Sequence, residues 1–180
     1  MIVLDAYAVL ALLKGEPAAG PVRQLLESKE ESSLTVLGVA EVLDHLVRIV
    51  GASDEDAALD IAQLGLAEPA PLEAPVALRA GLLRARHHHR RDRAVSIADC
   101  VAAETARLSG APLASADPHL LELCAEESID VVALPDSQGT TWTRDRATKE
   151  LPHEPRPGAA VHRAEPPGAP ARPRVGARRH

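Results

Sequence analysis

The sequence contains no phenylalanine, and its aromatic complement is one tyrosine, Tyr7, and one tryptophan, Trp142. That scarcity argues against a protein that stacks nucleic-acid bases on a sheet of exposed rings, and it requires an aliphatic core. Cysteine is nearly as rare. Cys100 and Cys124 are too few for a disulfide framework, which leaves reduced, buried thiols of a cytoplasmic protein as the simplest expectation. Long apolar runs are missing as well. Residues 2–13 are apolar, but Asp5 interrupts them and no basic segment precedes them, so neither a signal peptide nor a membrane span is expected.

A chain of 180 residues with 46% hydrophobic content fits one globular domain with an appendage. Its net charge of −6 conceals a division. Residues 1–136 hold eleven Lys/Arg against twenty-two Asp/Glu, a balance of −11, whereas residues 137–180 hold nine against four, a balance of +5. An acidic body opposes simple capture of phosphates by its own surface. It suits a site whose carboxylates are offset by bound cations. Residues 137–180 also contain seven Pro and four Gly, and apart from Ala their aliphatic residues are only Leu151, Val161 and Val175. This composition cannot bury enough apolar surface to offset the entropy of ordering, so a disordered tail is expected.

Apolar periodicity and turn signals alternate strand and helix through the body. Strands are expected at 2–5, 33–37, 111–116 and 129–134, with a short extended piece at 68–72. Helices are expected near 6–14, 18–28, 39–50, 54–66, 73–88, 96–110 and 118–126. Such alternation gives an α/β fold with a mostly parallel sheet and helices on both faces. Ligands of such sheets bind beyond the carboxyl ends of the strands.

Acids recur at those ends. Asp5 closes the run MIVLD, Asp99 lies in SIADC three residues after Ser96, and Asp117 follows APLASA and precedes Pro118. Each has a local explanation as a helix cap: an N-cap at Asp5, a capping box of Ser96 with Asp99, and an N-cap with Pro at N1 for Asp117. Glu41 belongs to a polar stripe with Asp44, His45 and Arg48 along an otherwise apolar helix. That stripe is either a solvent face, with Asp44 and Arg48 as an i,i+4 pair, or the wall of a cleft. Together the acids demand more than capping. Carboxylates gathered at one sheet edge cannot all stay ionised without a cation, and an all-oxygen set favours Mg²⁺ or Mn²⁺. Such a set activates water and stabilises the charge that develops when a phosphodiester is hydrolysed.

The segments MIVLDAYAVLALLKGEP, VAEVLDHL, SIADCVAAETARLSG and APLASADPHL occur in an order and spacing that resemble a PIN-domain ribonuclease of the VapC toxin type, over about residues 1–135. The resemblance implies a three-layer α/β/α fold around a five-stranded parallel sheet. It implies a Mg²⁺- or Mn²⁺-dependent endoribonuclease that cuts RNA, a small antitoxin protein as partner in a type II toxin–antitoxin pair, and a homodimer in the cytoplasm. It assigns the metal ligands and catalytic acids to Asp5, Glu41, Asp99 and Asp117, with Ser115 as a supporting hydroxyl. Two positions depart from the family pattern: Tyr7 stands where a small hydroxyl or amide residue is common, and His119 stands where many members carry another acid. The domain is accordingly expected at 1–136 and the tail at 137–180.

The stretch RARHHHRRDR, 84–93, is the most basic of the body. Arg84, Arg86, Arg90, Arg91 and Arg93 form either an RNA-backbone contact or a solvated helix end. His87, His88 and His89 are a poor zinc site, because adjacent residues on a helix do not share a face. Two other classes of function remain. A phosphatase of the haloacid-dehalogenase type needs an acid where Tyr7 stands, and a phosphate-accepting receiver needs a suitably placed lysine, whereas this chain has only Lys14, Lys29 and Lys149. A PIN scaffold with weakened catalysis could serve purely as a binding module.

Overall fold

Val3 and Leu4 are neighbours in sequence but lie in different cores, which is the pleat of a strand covered on both faces. The computed structural model describes residues 1–69 and 71–144. In chain order the elements are β1 (Ile2–Leu4), α1 (Ala6–Lys14), α2 (Ala19–Leu26), β2 (Ser32–Leu34), α3 (Val36–His45), α4 (Asp54–Ala62), α5 (Ala74–His87), α6 (Ile97–Ser109), β3 (Leu113–Ser115), α7 (Pro118–Glu126) and β4 (Val131–Ala133). The strands pair in the order β2-β1-β3-β4, and all three pairings are parallel. Ile2, Leu4 and Ala114 face α1 to α4 and pack with Val9, Val22, Val42 and Ala57. Val3 and Leu113 face α5 to α7 and pack with Leu83, Val101, Leu120 and Leu123. The result is the expected three-layer α/β/α arrangement. With no Phe, Leu and Val fill the core, each worth about 1.5–3 kcal/mol when fully buried.

The sheet has four strands among the described residues, one fewer than expected. At the fifth place, beyond β2, Ala67 makes a single parallel rung to Ser33, its N–H donating to the Ser32 carbonyl at 2.8 Å. The expected extended piece at 68–72 goes no further because Pro69 and Pro71 have no N–H to donate to a ladder. The boundary after β2 also moved. SLTVL has the β-branched character of a strand, yet Thr35 is an N-cap whose Oγ1 accepts from the Gly38 N–H at 3.0 Å, so α3 starts at Val36. It ends in a wide π-helical turn, Leu46–Val50, closed by Gly51 at φ 84°. The helix expected at 54–66 stops at Ala62.

The close fit of α3 on β2 gives one test. A Cβ added to Gly38 would meet Leu34 Cδ1 at 2.8 Å and Cγ at 2.9 Å, and Leu34 is itself fully buried. Overpacking of this kind costs about 1–3 kcal/mol, more than the ~1 kcal/mol that alanine gains in helix propensity. Gly38→Ala should lower the urea midpoint with an unchanged m-value; an unaltered midpoint would show that Leu34 moves aside freely.

Of the tail expected at 137–180, residues 137–144 are described. Asp136 Oδ1 accepts from the N–H groups of Gln138 and Thr140, and Pro135 bridges Thr141 antiparallel, so residues 137–144 form a turn on the body. The remainder of the expected tail, 145–180, lies outside the described residues. No described helix is long and apolar enough to cross a membrane. Cys100 and Cys124 are buried and unbridged, and burial pushes both thiols up to about 12, as inert core residues.

Candidate active site

Because every strand pairing is parallel, all the strands end on one edge, and that edge receives the acids. Asp5 leaves β1 directly, and its N–H donates to the Ala114 carbonyl of β3 at 3.0 Å. It stands at the N-cap position of α1, but its carboxylate makes no capping bond. Instead Asp5 Oδ2 accepts from the Ser115 hydroxyl at 2.7 Å. Ser115 is wholly buried, and its Oγ in turn accepts from the Asp117 N–H at 3.0 Å, tying the first and last acids to one hydroxyl. Asp99 forms the capping box, its Oδ2 accepting from the Ser96 N–H at 2.6 Å while Ser96 Oγ accepts from the Asp99 N–H at 2.9 Å. Asp117 caps α7, with Oδ1 accepting from the His119 N–H at 2.8 Å. Capping and site placement are therefore compatible. In each aspartate one oxygen is anchored.

Glu41 comes from the second turn of α3, aimed by the Thr35 cap. Its stripe divides: Asp44 and Arg48 are an exposed i,i+4 pair at 2.7 Å, whereas Glu41 is half-buried and feels Asp99. Thr35 was not among the sequence candidates, although a Thr directly before an apolar helix is a recognisable start signal.

Electrostatics join the four acids. Asp5, only 8% exposed, has its carboxyl pushed up to about 7, chiefly by burial, with Ser115 opposing and the Asp99 and Asp117 charges adding. Asp99 is raised by burial and by Asp117, and Glu41 by burial and by Asp99. Among the described residues no cationic side chain acts on any of these three. Hard oxygen donors with unbalanced charge fit Mg²⁺ or Mn²⁺. Among the described residues no group of three or more acids, His or Cys is already placed to hold a metal ion. A cavity of about 350 Å³ between Leu34, Leu72, Val76, Val101 and Leu108 involves none of the four acids.

The departures from the family pattern resolve locally. Tyr7 turns to the segment after β4, its hydroxyl donating to the Pro135 carbonyl at 3.2 Å. His119 contributes its backbone N–H to Asp117.

Known proteins of similar sequence and architecture bear on these findings. The family model for the PIN domain matches residues 2–126. The chain belongs to the PIN-domain family. The family expected from its four ordered segments is thus the family found. PIN domains are in general nucleases and in general use divalent metal ions. Among solved structures, this PIN domain resembles VapBC2 from Rickettsia felis, a structure bound to a DNA fragment from the promoter, with 15% identity and a TM-score of 0.55 over 73% of this chain and 98% of that one. It also resembles FitAcB from Neisseria gonorrhoeae, with 20% identity and a TM-score of 0.52 over 73% of this chain and 96% of that one. No curated protein sequence matches it.

The basic stretch at the end of α5 is largely committed within the PIN domain itself. Arg84 Nε–H donates to the Val95 carbonyl, Arg86 pairs with Glu127 at 3.2 Å, and Arg93 pairs with Glu122 at 3.0 Å and Glu126 at 2.8 Å. These contacts clamp the α5–α6 connection onto α7, leaving Arg90 and Arg91 exposed. The three histidines go to different partners: His87 to Glu126 and Glu127, His88 to the Val95 carbonyl, and His89 to Asp92.

Proposed function

We propose that the chain is a Mg²⁺- or Mn²⁺-dependent endoribonuclease and the VapC-type toxin of a toxin–antitoxin pair, acting in the cytoplasm as a homodimer and restrained by a small antitoxin protein. The observation that carries this reading is the set of Asp5, Glu41, Asp99 and Asp117, in which Asp99 and Asp117 act on Asp5, Asp117 on Asp99 and Asp99 on Glu41, with no cationic side chain among the described residues offsetting them. The likeness to VapBC2 and FitAcB supports the toxin reading and the antitoxin partner. Residues 1–136 are taken as the nuclease domain and 137–180 as its tail.

In this reading the metal ligands are Asp5, Glu41, Asp99 and Asp117, each presenting a carboxylate oxygen to the cleft. When bound, a divalent cation offsets their charge, activates water and takes up the charge developing on the phosphodiester. The chain's own residues do the positioning. Ser115 fixes one oxygen of Asp5 and, through the Asp117 N–H, the start of α7. Ser96 fixes Asp99, so that the remaining oxygen points from a rigid helix start.

The test is cleavage of a structured RNA by the purified full chain. Cuts are expected with Mn²⁺ and none with EDTA. A second reading, a PIN scaffold of weakened catalysis that only binds a partner, is favoured by the absence, among the described residues, of a group already placed to hold a metal ion. Failure to cut a broad set of RNAs, together with no calorimetric Mn²⁺ binding by a folded protein, would establish that scaffold instead.

A further inference from the structure

The sheet stops short beside β2, and a hollow lies there. Pairing beyond β2 ends after the single rung at Ala67, and α5 begins only at Ala74. Between them, Pro71 and Leu72 join β2, α5 and α6 in lining the cavity of about 350 Å³. That is the size of a small-molecule site, and mostly apolar walls with a few polar groups are the usual make-up of one. The apolar walls are Leu34, Leu72, Val76, Val101 and Leu108. Leu72 is 38% and Leu108 51% exposed, so apolar surface remains for an occupant to cover.

The polar groups narrow the occupant's chemistry. Ser33 lies in the wall and is only 8% exposed, yet its hydroxyl has no hydrogen-bond partner among the described residues. A buried hydroxyl in this state favours an occupant that can bond to it. Glu68 and Glu73 also line the cavity; both are exposed, and neither forms an ion pair among the described residues. Glu73 holds the N-cap position of α5, but its side chain makes no capping bond, so its carboxylate is not engaged by the helix. Among the described residues no Lys, Arg or His lines the cavity.

We infer that this cavity is a binding site for a small amphiphilic amine, its apolar body between α5 and α6 and its ammonium group at Glu68 and Glu73. Charge complementarity selects that class. An anion would meet two carboxylates and no basic side chain, and the balance of −11 over residues 1–136 repels it further. A neutral apolar molecule would fill the walls and leave both carboxylates unmatched. None of the four acids of the candidate active site lines the cavity, so the inference stands apart from the ribonuclease reading.

The experiment titrates the full chain in EDTA, by calorimetry, with three probes of equal chain length: n-octylamine, 1-octanol and octanoate. Octylamine should bind at one molecule per chain, 1-octanol more weakly, and octanoate not at all. Exposed ion pairs are each worth up to about five-fold, so E68Q/E73Q should weaken octylamine on the order of 10-fold and bring it level with 1-octanol. Leu108→Arg places a cation at the half-exposed wall and should abolish octylamine binding, with circular dichroism unchanged. No binding of octylamine, equal binding of octanoate, or an unchanged octylamine Kd in E68Q/E73Q would each overturn the site. Octylamine binding lost in Asp5→Asn but kept in both cavity variants would overturn it as well, placing the amine on the four acids.

Discussion

Asp5→Asn is expected to reduce metal-dependent RNA cleavage by more than about 100-fold while leaving the protein folded. Groups that merely support a metal ligand are commonly worth 10–100-fold, so a ligand itself should exceed that. Asp5 is the most buried of the four acids and the one joined directly to Ser115, and the charges of both Asp99 and Asp117 act on it. Asparagine has nearly the same shape, and its side-chain oxygen can still accept the Ser115 hydroxyl. Burial already disfavours the charge at this position, so its removal costs the metal-free fold nothing in electrostatics. Circular dichroism and a melt would check the fold, and single-turnover cleavage would check the chemistry. Equal cutting by parent and variant would sink the assignment of Asp5. Asp99 is a poorer first target, because Asp99→Asn also disturbs the capping box of α6 and mixes a stability loss of ~1 kcal/mol with the catalytic one.

The choice of Asp5 also shows which parts of the molecule could be read from sequence. The helix starts at Ser96 and Asp117 were legible because capping chemistry is local: the side chain and the N–H it serves lie within three residues of each other. Helix ends at Gly15, Gly51 and Gly110 were legible for the same reason, each glycine standing at positive φ. The gathering of the acids was legible only at one remove, through parallel topology that brings all the strand ends to one edge. Other features depend on partners far along the chain. Arg86 and Arg93 meet Glu127 and Glu126 forty-one and thirty-three residues away, so charge alone could not distinguish an RNA contact from an internal clamp. Thr35 lay in a β-branched run and was assigned to the strand, because the cap it forms depends on how tightly Gly38 lets α3 approach Leu34. Tyr7 meets the Pro135 carbonyl 128 residues along the chain, which no local pattern encodes.

The metal-free protein should lose stability as pH rises through the range where ordinary proteins are flat. Asp5 has a folded pKa of about 7 against an ordinary carboxyl value of 3.8, so between those values the folded state holds a proton that the unfolded state has released. Stability then falls with rising pH over that interval and levels above it. From this one group the change is roughly 4 kcal/mol, or on the order of 10 °C in Tm. Glu41 and Asp99, also raised, act in the same direction. Glu126 acts oppositely, because Arg93 lowers it, but its contribution is present above its unfolded value of 4.5 and is lost only in more acidic solution. The window between about pH 5 and pH 7 therefore reports the candidate site. Melts in EDTA should show Tm falling across it in the parent and a much flatter profile in Asp5→Asn. Mn²⁺ should reverse the trend, stabilising the parent more at the alkaline end, since it binds only the deprotonated carboxylates. Parallel profiles for parent and variant would show that Asp5 does not carry the buried charge. A parent whose profile ignores Mn²⁺ would show that the charge has no cation to meet it, and would leave Asp99 and Asp117 with their capping roles alone.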